Sequence, residues 1–158
     1  MIARTIRVYA DTSVFGGVFD EEFRVASEIF FAQVRSGRFR LVTSAIVQEE
    51  VAPAPLEVRE FFAGILGLLE VADISEDALQ LRSAYLDAGI VSQKWSEDAL
   101  HVAVATVSGC SLMVSWNFKH IVHFQKIPLY NAVNTLRGYA QIGIFSPLEV
   151  IQYEGEDV

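Results

Sequence analysis

Short apolar segments alternate with helix-patterned segments along the chain, and this alternation constrains the fold more than any other feature. Apolar runs typical of strands lie near residues 5–10, 39–43, 69–72, 111–115 and 144–145. Between them lie helical patterns, one ending at Gly37, others over about 56–67 and 129–140. Strands separated by helices form mostly parallel sheets that are covered on both faces. We therefore expect an α/β fold with a central, mostly parallel sheet of four to five strands.

Individual residues predict where some elements begin and end. Ser44 is placed to cap the helix that carries Glu50, and Pro53 and Pro55 would end that helix. The pair at 16–17, Gly-Gly, is interpreted as a turn because it has neither the spacing nor the lysine of a phosphate-binding loop.

Length and composition indicate one well-packed domain. The chain has 158 residues, 52% of them hydrophobic, and no linker-like stretch interrupts it. We expect a single domain over residues 1–150 and a C-terminal tail over 151–158. The net charge of −8 argues against a protein that coats nucleic acid, because such a protein needs a basic face.

Cysteine content and hydropathy bear on the compartment. Cys110 is the only cysteine, which excludes an internal disulfide and favours a buried structural thiol in a reducing cytoplasm. No apolar stretch is long enough to predict a membrane span, and the N-terminus lacks the pattern of a signal peptide. We expect a cytoplasmic protein without membrane association.

Four polar residues occupy equivalent places relative to the predicted sheet. Asp11 ends the first strand, Glu50 lies on the helix after the second, and Asn117 follows the fourth. Asp98 opens a helix that must return to the same sheet. Ligands bind beyond the carboxyl ends of the strands in open α/β sheets, so these side chains are predicted to share one edge.

A five-residue repeat allows a structural acid, Asp77, to be compared with a candidate functional acid, Asp98. Residues 75–79 and 96–100 share the sequence Ser-Glu-Asp-Ala-Leu, in which Ser caps a helix and the acids favour its first turn. The helix after Asp77 is amphipathic, whereas the helix after Asp98 is apolar nearly all round. We expect Asp98 to be shielded from solvent and to need a partner.

Crowded carboxylates require a compensating positive charge. Oxygen ligands without histidine or cysteine spacing favour Mg²⁺ or Mn²⁺ over zinc. Such a site suits phosphodiester hydrolysis, since the metal activates water and neutralises the phosphate.

Five motifs in order along the chain resemble a PIN domain, and they cover essentially its whole length: Asp11-Thr-Ser-Val, Ser44 with Glu50-Val51, Glu97-Asp98-Ala-Leu-His-Val-Ala, Ser115-Trp-Asn-Phe-Lys-His120 and Phe145-Ser-Pro-Leu-Glu149. The resemblance implies a three-layer α/β/α fold and the metal-dependent ribonuclease activity of VapC-type toxins in toxin–antitoxin pairs. It implies RNA as substrate and an antitoxin as protein partner.

The resemblance also implies roles for single residues. Asp11, Glu50 and Asp98 would be the acidic metal ligands and catalytic residues, with Ser13 and Ser115 in supporting positions. Asn117 stands where the family commonly has Asp; its amide oxygen remains a metal ligand, but one negative charge is lost.

Several assignments remain open between two interpretations. Glu49 competes with Glu50, although the spacing from Ser44 favours Glu50. His101 is either a satisfied core histidine or a ligand. The pair Lys119 and His120 is either solvated surface or a contact for substrate phosphates. The flanking aromatic residues are expected to pack in the core, except Trp95, which lies in a loop: Phe15, Trp95, Trp116 and Phe118.

Two functions follow, a metal-dependent endoribonuclease or a catalytically weakened PIN-like module that binds RNA or a protein. An aspartyl-phosphate phosphatase fits less well, because Ser13 stands where a second acid is needed. The apolar segment 56–69 is either buried in the domain or a surface for a homodimer or partner.

Overall fold

The computed structural model describes residues 5–152, and these build one five-stranded parallel sheet. Its strands are β1 (Ile6–Ala10), β2 (Phe39–Ser44), β3 (Glu70–Ala72), β4 (Leu112–Val114) and β5 (Gly143–Phe145). The strand order is β3-β2-β1-β4-β5, and every neighbouring pair is parallel. The predicted α/β fold with a parallel sheet is confirmed. Residues 153–158 of the predicted tail lie outside the described residues.

Eight helices are described around the sheet: α1 (Thr12–Gly17), α2 (Arg24–Arg35), α3 (Ala45–Val51), α4 (Leu56–Ile65), α5 (Glu76–Asp87), α6 (Ser96–Val107), α7 (Ile127–Leu136) and α8 (Pro147–Val150). Helix α5 packs against α6 and α7, while α1 packs against α2, α3 and α4, and α8 against α2. Two groups of helices and the sheet between them give the three-layer α/β/α arrangement. None of the described helices is long and apolar enough to cross a membrane.

Strand β1 and helix α6 form the centre of the core. Val8, Tyr9 and Ala10 are fully buried because β1 lies between β2 and β4. Helix α6 is buried without a break from Ala99 to Thr106, as its apolar sequence predicts. Cys110 is also buried, and burial raises the pKa of its thiol to about 11, which disfavours the reactive thiolate form. This rigid centre positions the carboxyl ends of β1 and β4.

The glycine pair was interpreted wrongly as a turn. Gly16 and Gly17 end helix α1, and neither has a positive φ angle. A Cβ atom on Gly17 would lie 2.6 Å from Ser27 Oγ and 2.7 Å from Trp116 Nε1. Gly17 is therefore required by close packing between α1, α2 and the segment after β4, and not by a turn.

Two predicted serine caps are also wrong. Ser44 stands at the N-cap position of α3, but its hydroxyl bonds Tyr9 instead of a helix amide. Ser96 is the first residue of α6 rather than its cap, because a 3₁₀ turn over Gln93–Trp95 leads directly into the helix. In the repeat only Ser75 caps as predicted, accepting a hydrogen bond from the Ala78 amide.

Other boundaries differ by a few residues. The helix predicted over 129–140 begins at Ile127, since Pro128 fits the first turn, and ends before Gly138, whose φ is +84°. In segment 56–69, Val58 and Phe62 are buried while Leu56 and Leu68 are exposed. The helix of that segment therefore packs mainly into this domain.

A substitution pair tests the packing of Gly17. Gly17→Ala is expected to lower the free energy of unfolding by about 1–3 kcal/mol, because the new methyl group has no space. Gly16→Ala is the matched control: nothing lies within 4 Å of a Cβ there, so a neutral or slightly stabilising effect of up to about 1 kcal/mol is expected. Urea unfolding of both variants measures the difference. Equal effects at the two positions would contradict the packing account.

Candidate active site

The site is built around Asp11, directly after the central strand. Ala10 of β1 is in register with Val114 of β4, which places Asp11 beside Ser115. Ser115 Oγ donates to Asp11 Oδ2 over 2.7 Å, and Ser13 Oγ donates to Asp11 Oδ1 over 2.5 Å. Both predicted supporting serines therefore hold the Asp11 carboxyl group.

The two serines also fix the loop that follows β4. Ser13 Oγ accepts the Trp116 amide at 2.8 Å, and Ser115 Oγ accepts the Asn117 amide at 2.9 Å. Each hydroxyl thus donates to Asp11 and accepts from the backbone. This network ties α1 to the segment that carries Asn117.

Asp11 is almost completely buried, with 4% of its surface exposed. Burial raises its pKa, and the neighbouring Glu50 charge raises it further, while His101 and the two hydroxyls act in the opposite direction. The net direction is upward. The folded protein therefore holds the Asp11 charge at a cost that a cation would relieve.

Glu50 faces the site from helix α3, while its neighbour Glu49 is exposed. Glu50 Oε1 accepts hydrogen bonds from Thr12 Oγ1 at 3.1 Å and from His101 Nε2 at 2.5 Å. Burial acts to raise the pKa of Glu50, but the hydrogen bond and charge of His101 outweigh it and lower the pKa. Glu50 therefore contacts Thr12 and His101, and its assignment as a site residue in preference to Glu49 stays a prediction.

His101 links the carboxylates to the interior. It is buried, and its Nδ1 lies 2.7 Å from the Tyr9 hydroxyl, which in turn lies 2.9 Å from Ser44 Oγ. Burial acts to lower its pKa, yet the Glu50 hydrogen bond and the carboxylate charges raise it overall. Both ring nitrogens of His101 therefore have hydrogen-bond partners, as the interpretation of a satisfied core histidine predicts. One of these partners is the carboxylate of Glu50. The sequence signal for this position was that His101 follows Asp98 by three residues and so lies on the same face of the helix.

Asp98 lies in the first turn of α6, where the helix dipole favours a negative charge. It is only half-buried, and within residues 5–152 it has no hydrogen-bond or ion-pair partner. The expectation that Asp98 is shielded and paired is therefore wrong, because α6 begins at the protein surface. Its charge still acts on both His101 and His120, which places it near these two imidazoles.

Asn117 has a structural role that the sequence did not indicate. Its Oδ1 accepts the backbone amide of His120 at 2.9 Å and so closes the turn after β4. A carbonyl oxygen has a second lone pair, so this bond leaves one acceptor position on Asn117. Its role as a metal ligand stays a prediction.

The donor groups suit a hard divalent cation, although they are not gathered into a closed cage. No three His, Cys, Asp or Glu side chains of the described chain already form a metal-binding group. The second Glu50 oxygen and both Asp98 oxygens make no hydrogen bond within residues 5–152. Together with the buried Asp11, these oxygens match the ligand preference of Mg²⁺ or Mn²⁺.

The remaining candidates lie beside Asp98. Lys119 is exposed, whereas His120 is buried under Trp95, with ring centroids 4.4 Å apart. Both ring nitrogens of His120 are buried, which argues against direct contact with a phosphate. Of the aromatic residues expected in the core, Phe15 and Trp116 are buried, but Phe118 is 49% exposed.

Replacing Asp11 tests the cost of its buried charge. In metal-free buffer near neutral pH, Asp11→Asn is expected to raise the free energy of unfolding by about 0.5–2 kcal/mol. The folded pKa of Asp11 lies above its unfolded value of about 3.9, so the wild type loses stability as the pH rises above that value.

The stabilisation by Asp11→Asn should therefore shrink toward acid pH, as urea unfolding at several pH values can measure. Glu49→Gln is the matched control at an exposed acid and is expected to change stability by less than about 0.5 kcal/mol. A variant of Asp11 that is destabilised at every pH would contradict the account.

Solved structures share this fold, although no family model and no curated protein matches the chain. One is a chain of VapBC2 from Rickettsia felis, bound to a DNA fragment from its promoter, with 15% identity and a TM-score of 0.57; the match covers 88% of this chain and 97% of that one. Another is VapC20 from Mycobacterium tuberculosis, a sarcin-ricin loop cleaving toxin, with 14% identity and a TM-score of 0.57, covering 86% and 98%. The described chain thus has the PIN-like α/β/α fold of VapC-type toxins.

Proposed function

We propose that this protein is a metal-dependent endoribonuclease that hydrolyses RNA phosphodiester bonds. The observation that carries the proposal is that the charges of Asp11, Glu50 and Asp98 all act on one buried imidazole, that of His101. Burial raises the pKa of Asp11, and the charge of Glu50 raises it further, so a bound cation would stabilise the ionised Asp11 carboxylate.

Each residue has a distinct role in this proposal. Asp11, Glu50 and Asp98 would hold Mg²⁺ or Mn²⁺, with Asn117 as a neutral ligand. The bound cation would supply Lewis-acid activation of water and neutralise the phosphate.

The positioning residues act through the acids. Ser13 and Ser115 orient the Asp11 carboxyl group through their hydrogen bonds. His101 holds Glu50 Oε1, which directs the other Glu50 oxygen away from the imidazole. Such bonds to ligating carboxylates fix ligand orientation in metal sites.

The fold supports a toxin role. One structural neighbour is a sarcin-ricin loop cleaving toxin, and another belongs to VapBC2, which binds a fragment of its promoter. By analogy we propose that this chain cleaves a structured or single-stranded RNA and is neutralised by an antitoxin protein. A homodimer and a cytoplasmic location remain predictions.

A second candidate is a catalytically weakened PIN-like module that binds RNA or a protein. It is favoured by Asn117, which stands where the family commonly has an acid and whose amide oxygen already accepts one hydrogen bond, from the His120 amide. Loss of that charge would weaken a second metal position and leave binding intact.

An RNA cleavage assay with Mn²⁺ or Mg²⁺ separates the two candidates. Asp98→Asn and Glu50→Gln are expected to lower the cleavage rate by about 100-fold or more, because changes even to residues behind the metal ligands cost 10–100-fold. Glu49→Gln is the matched control, since this neighbouring acid is exposed and should leave the rate unchanged. A chelator should abolish cleavage. If neither the wild type nor Asp98→Asn cleaves any of a varied set of RNAs, the nuclease proposal is wrong.

Metal binding can be measured without any substrate. Mn²⁺ at about 100 times its dissociation constant should stabilise the wild type by about 2.7 kcal/mol, seen as a rise in melting temperature. Asp11→Asn should lose most of this rise, while Glu49→Gln should keep it. An equal rise in all three proteins would show that the metal binds elsewhere.

A further inference from the structure

All three lysines of this acidic chain lie in one region beside Asp98. Lys94 and Lys119 place their ammonium groups 5.1 Å and 5.6 Å from the centre of the Trp95 ring. Lys126 donates to the Ile90 carbonyl at 2.6 Å, at the start of the loop that leads to Trp95. The other basic residues, all arginines, lie elsewhere in the sequence.

We call Lys94, Trp95, Lys119, His120 and Lys126 the lysine–tryptophan patch. Within residues 5–152 none of its lysines forms an ion pair with an acid. Lys94 and Lys119 are exposed, although the chain has a net charge of −8 and many acids that could have neutralised them. Positive charge that is left unpaired in an acidic protein is available to an anionic ligand.

The patch borders the proposed metal site. Trp95 directly precedes α6, whose first turn carries Asp98. The charges of Asp98, Lys119 and Lys126 all act on His120, which places the acid and the lysines around one imidazole. An RNA strand bound at the carboxylate edge would therefore reach the lysines with its neighbouring nucleotides.

His120 fixes the aromatic ring at the centre of the patch. Its imidazole stacks on Trp95 with an interplanar angle of 28°, and only 8% of the residue is exposed. Neither ring nitrogen has a hydrogen-bond partner within the described residues, although both are buried. Leaving such groups unpaired costs free energy, so stability alone does not account for this arrangement.

From this geometry we infer that the lysine–tryptophan patch is a phosphate-binding subsite for single-stranded RNA next to the cleavage site. Lys94 and Lys119 would each contact a backbone phosphate, and the Trp95 ring holds the two ammonium groups in place through cation–π attraction. The subsite rests on the proposed ribonuclease function, which it extends to the nucleotides flanking the scissile bond. Phosphate contacts carry no base information, so binding should be largely independent of sequence.

The test is RNA binding by Lys94→Ala/Lys119→Ala in the full-length protein. Fluorescein-labelled oligouridylate and oligoadenylate are titrated in chelator, which prevents metal-dependent cleavage, at several salt concentrations. Each lost phosphate contact on a single strand reduces the salt slope by about 0.7, so a reduction of about 1.4 is expected with both probes.

The matched control is Arg35→Ala/Arg137→Ala. It removes the same charge from two exposed arginines at the ends of α2 and α7, which lead into the starts of β2 and β5 at the opposite edge of the sheet. The control should retain the wild-type salt slope, and the melting temperature of each variant checks that it is folded. An unchanged slope in the lysine variant, or an equal change in both variants, would overturn the subsite.

Cleavage kinetics separate failure of the subsite from failure of the proposed function. If the wild type cleaves RNA, the lysine variant should have a raised KM with kcat nearly preserved, and an unchanged KM overturns the subsite alone. If the wild type binds RNA through the lysines but never cleaves it, the nuclease proposal fails while the subsite stands. If the lysine variant keeps its RNA affinity but loses binding to polyglutamate, the patch recognises an acidic protein segment and the inference is wrong.

Discussion

The hydrogen bond between His101 and Glu50 connects the buried helix α6 to the acidic edge of the sheet. The His101 imidazole also contacts the hydroxyl group of Tyr9 in β1, which in turn bonds the hydroxyl group of Ser44 at the end of β2. Hydrogen bonds through one imidazole thus connect α6 with α3, β1 and β2. The two partners differ in solvent exposure, because His101 is buried and Glu50 is partly exposed. Removing Glu50 would leave a buried imidazole without one partner, whereas removing His101 would leave a carboxylate that water can still reach.

The carboxylates at this edge differ in pKa and in hydrogen bonding because each has different charged and polar neighbours. Glu50 has its own positive partner, and its pKa is lowered. Among residues 5–152, Asp11 has only hydroxyl donors and the more distant charge of His101, and its pKa is raised by burial. Asp98 meets solvent and has no hydrogen bond among the described residues. A cation bound by these three groups would stabilise the ionised Asp11 without breaking the bond between Glu50 and His101, since the second Glu50 oxygen has no hydrogen bond from the described part of the chain.

Sequence reasoning brought Asp11 and Ser115 to one edge of the sheet because parallel topology decides which strand ends meet. The position of Asp11 after β1 and of Ser115 after β4 followed from the alternation of strands and helices alone. The partners of these residues could not be predicted in the same way. The bond from Asn117 to the His120 amide depends on a turn geometry that composition does not reveal, and the need for Gly17 arises from Ser27 and Trp116, which are distant in sequence.

The same limit explains the error at Asp98. A nearly continuous apolar helix indicates burial, but the first turn of a buried helix still reaches the surface where the loop before it lies open. That loop carries Lys94 and Trp95, so an exposed lysine lies near Asp98. A phosphodiester chain has a negative charge at every nucleotide, and a cation held by acids can serve only the phosphate that reacts. Lysines beside the acids would serve its neighbours, while the overall charge of −8 keeps long-range attraction to RNA weak. Acids and lysines at one rim thus suit the proposed cleavage of RNA, in which a product must be released as well as a substrate bound.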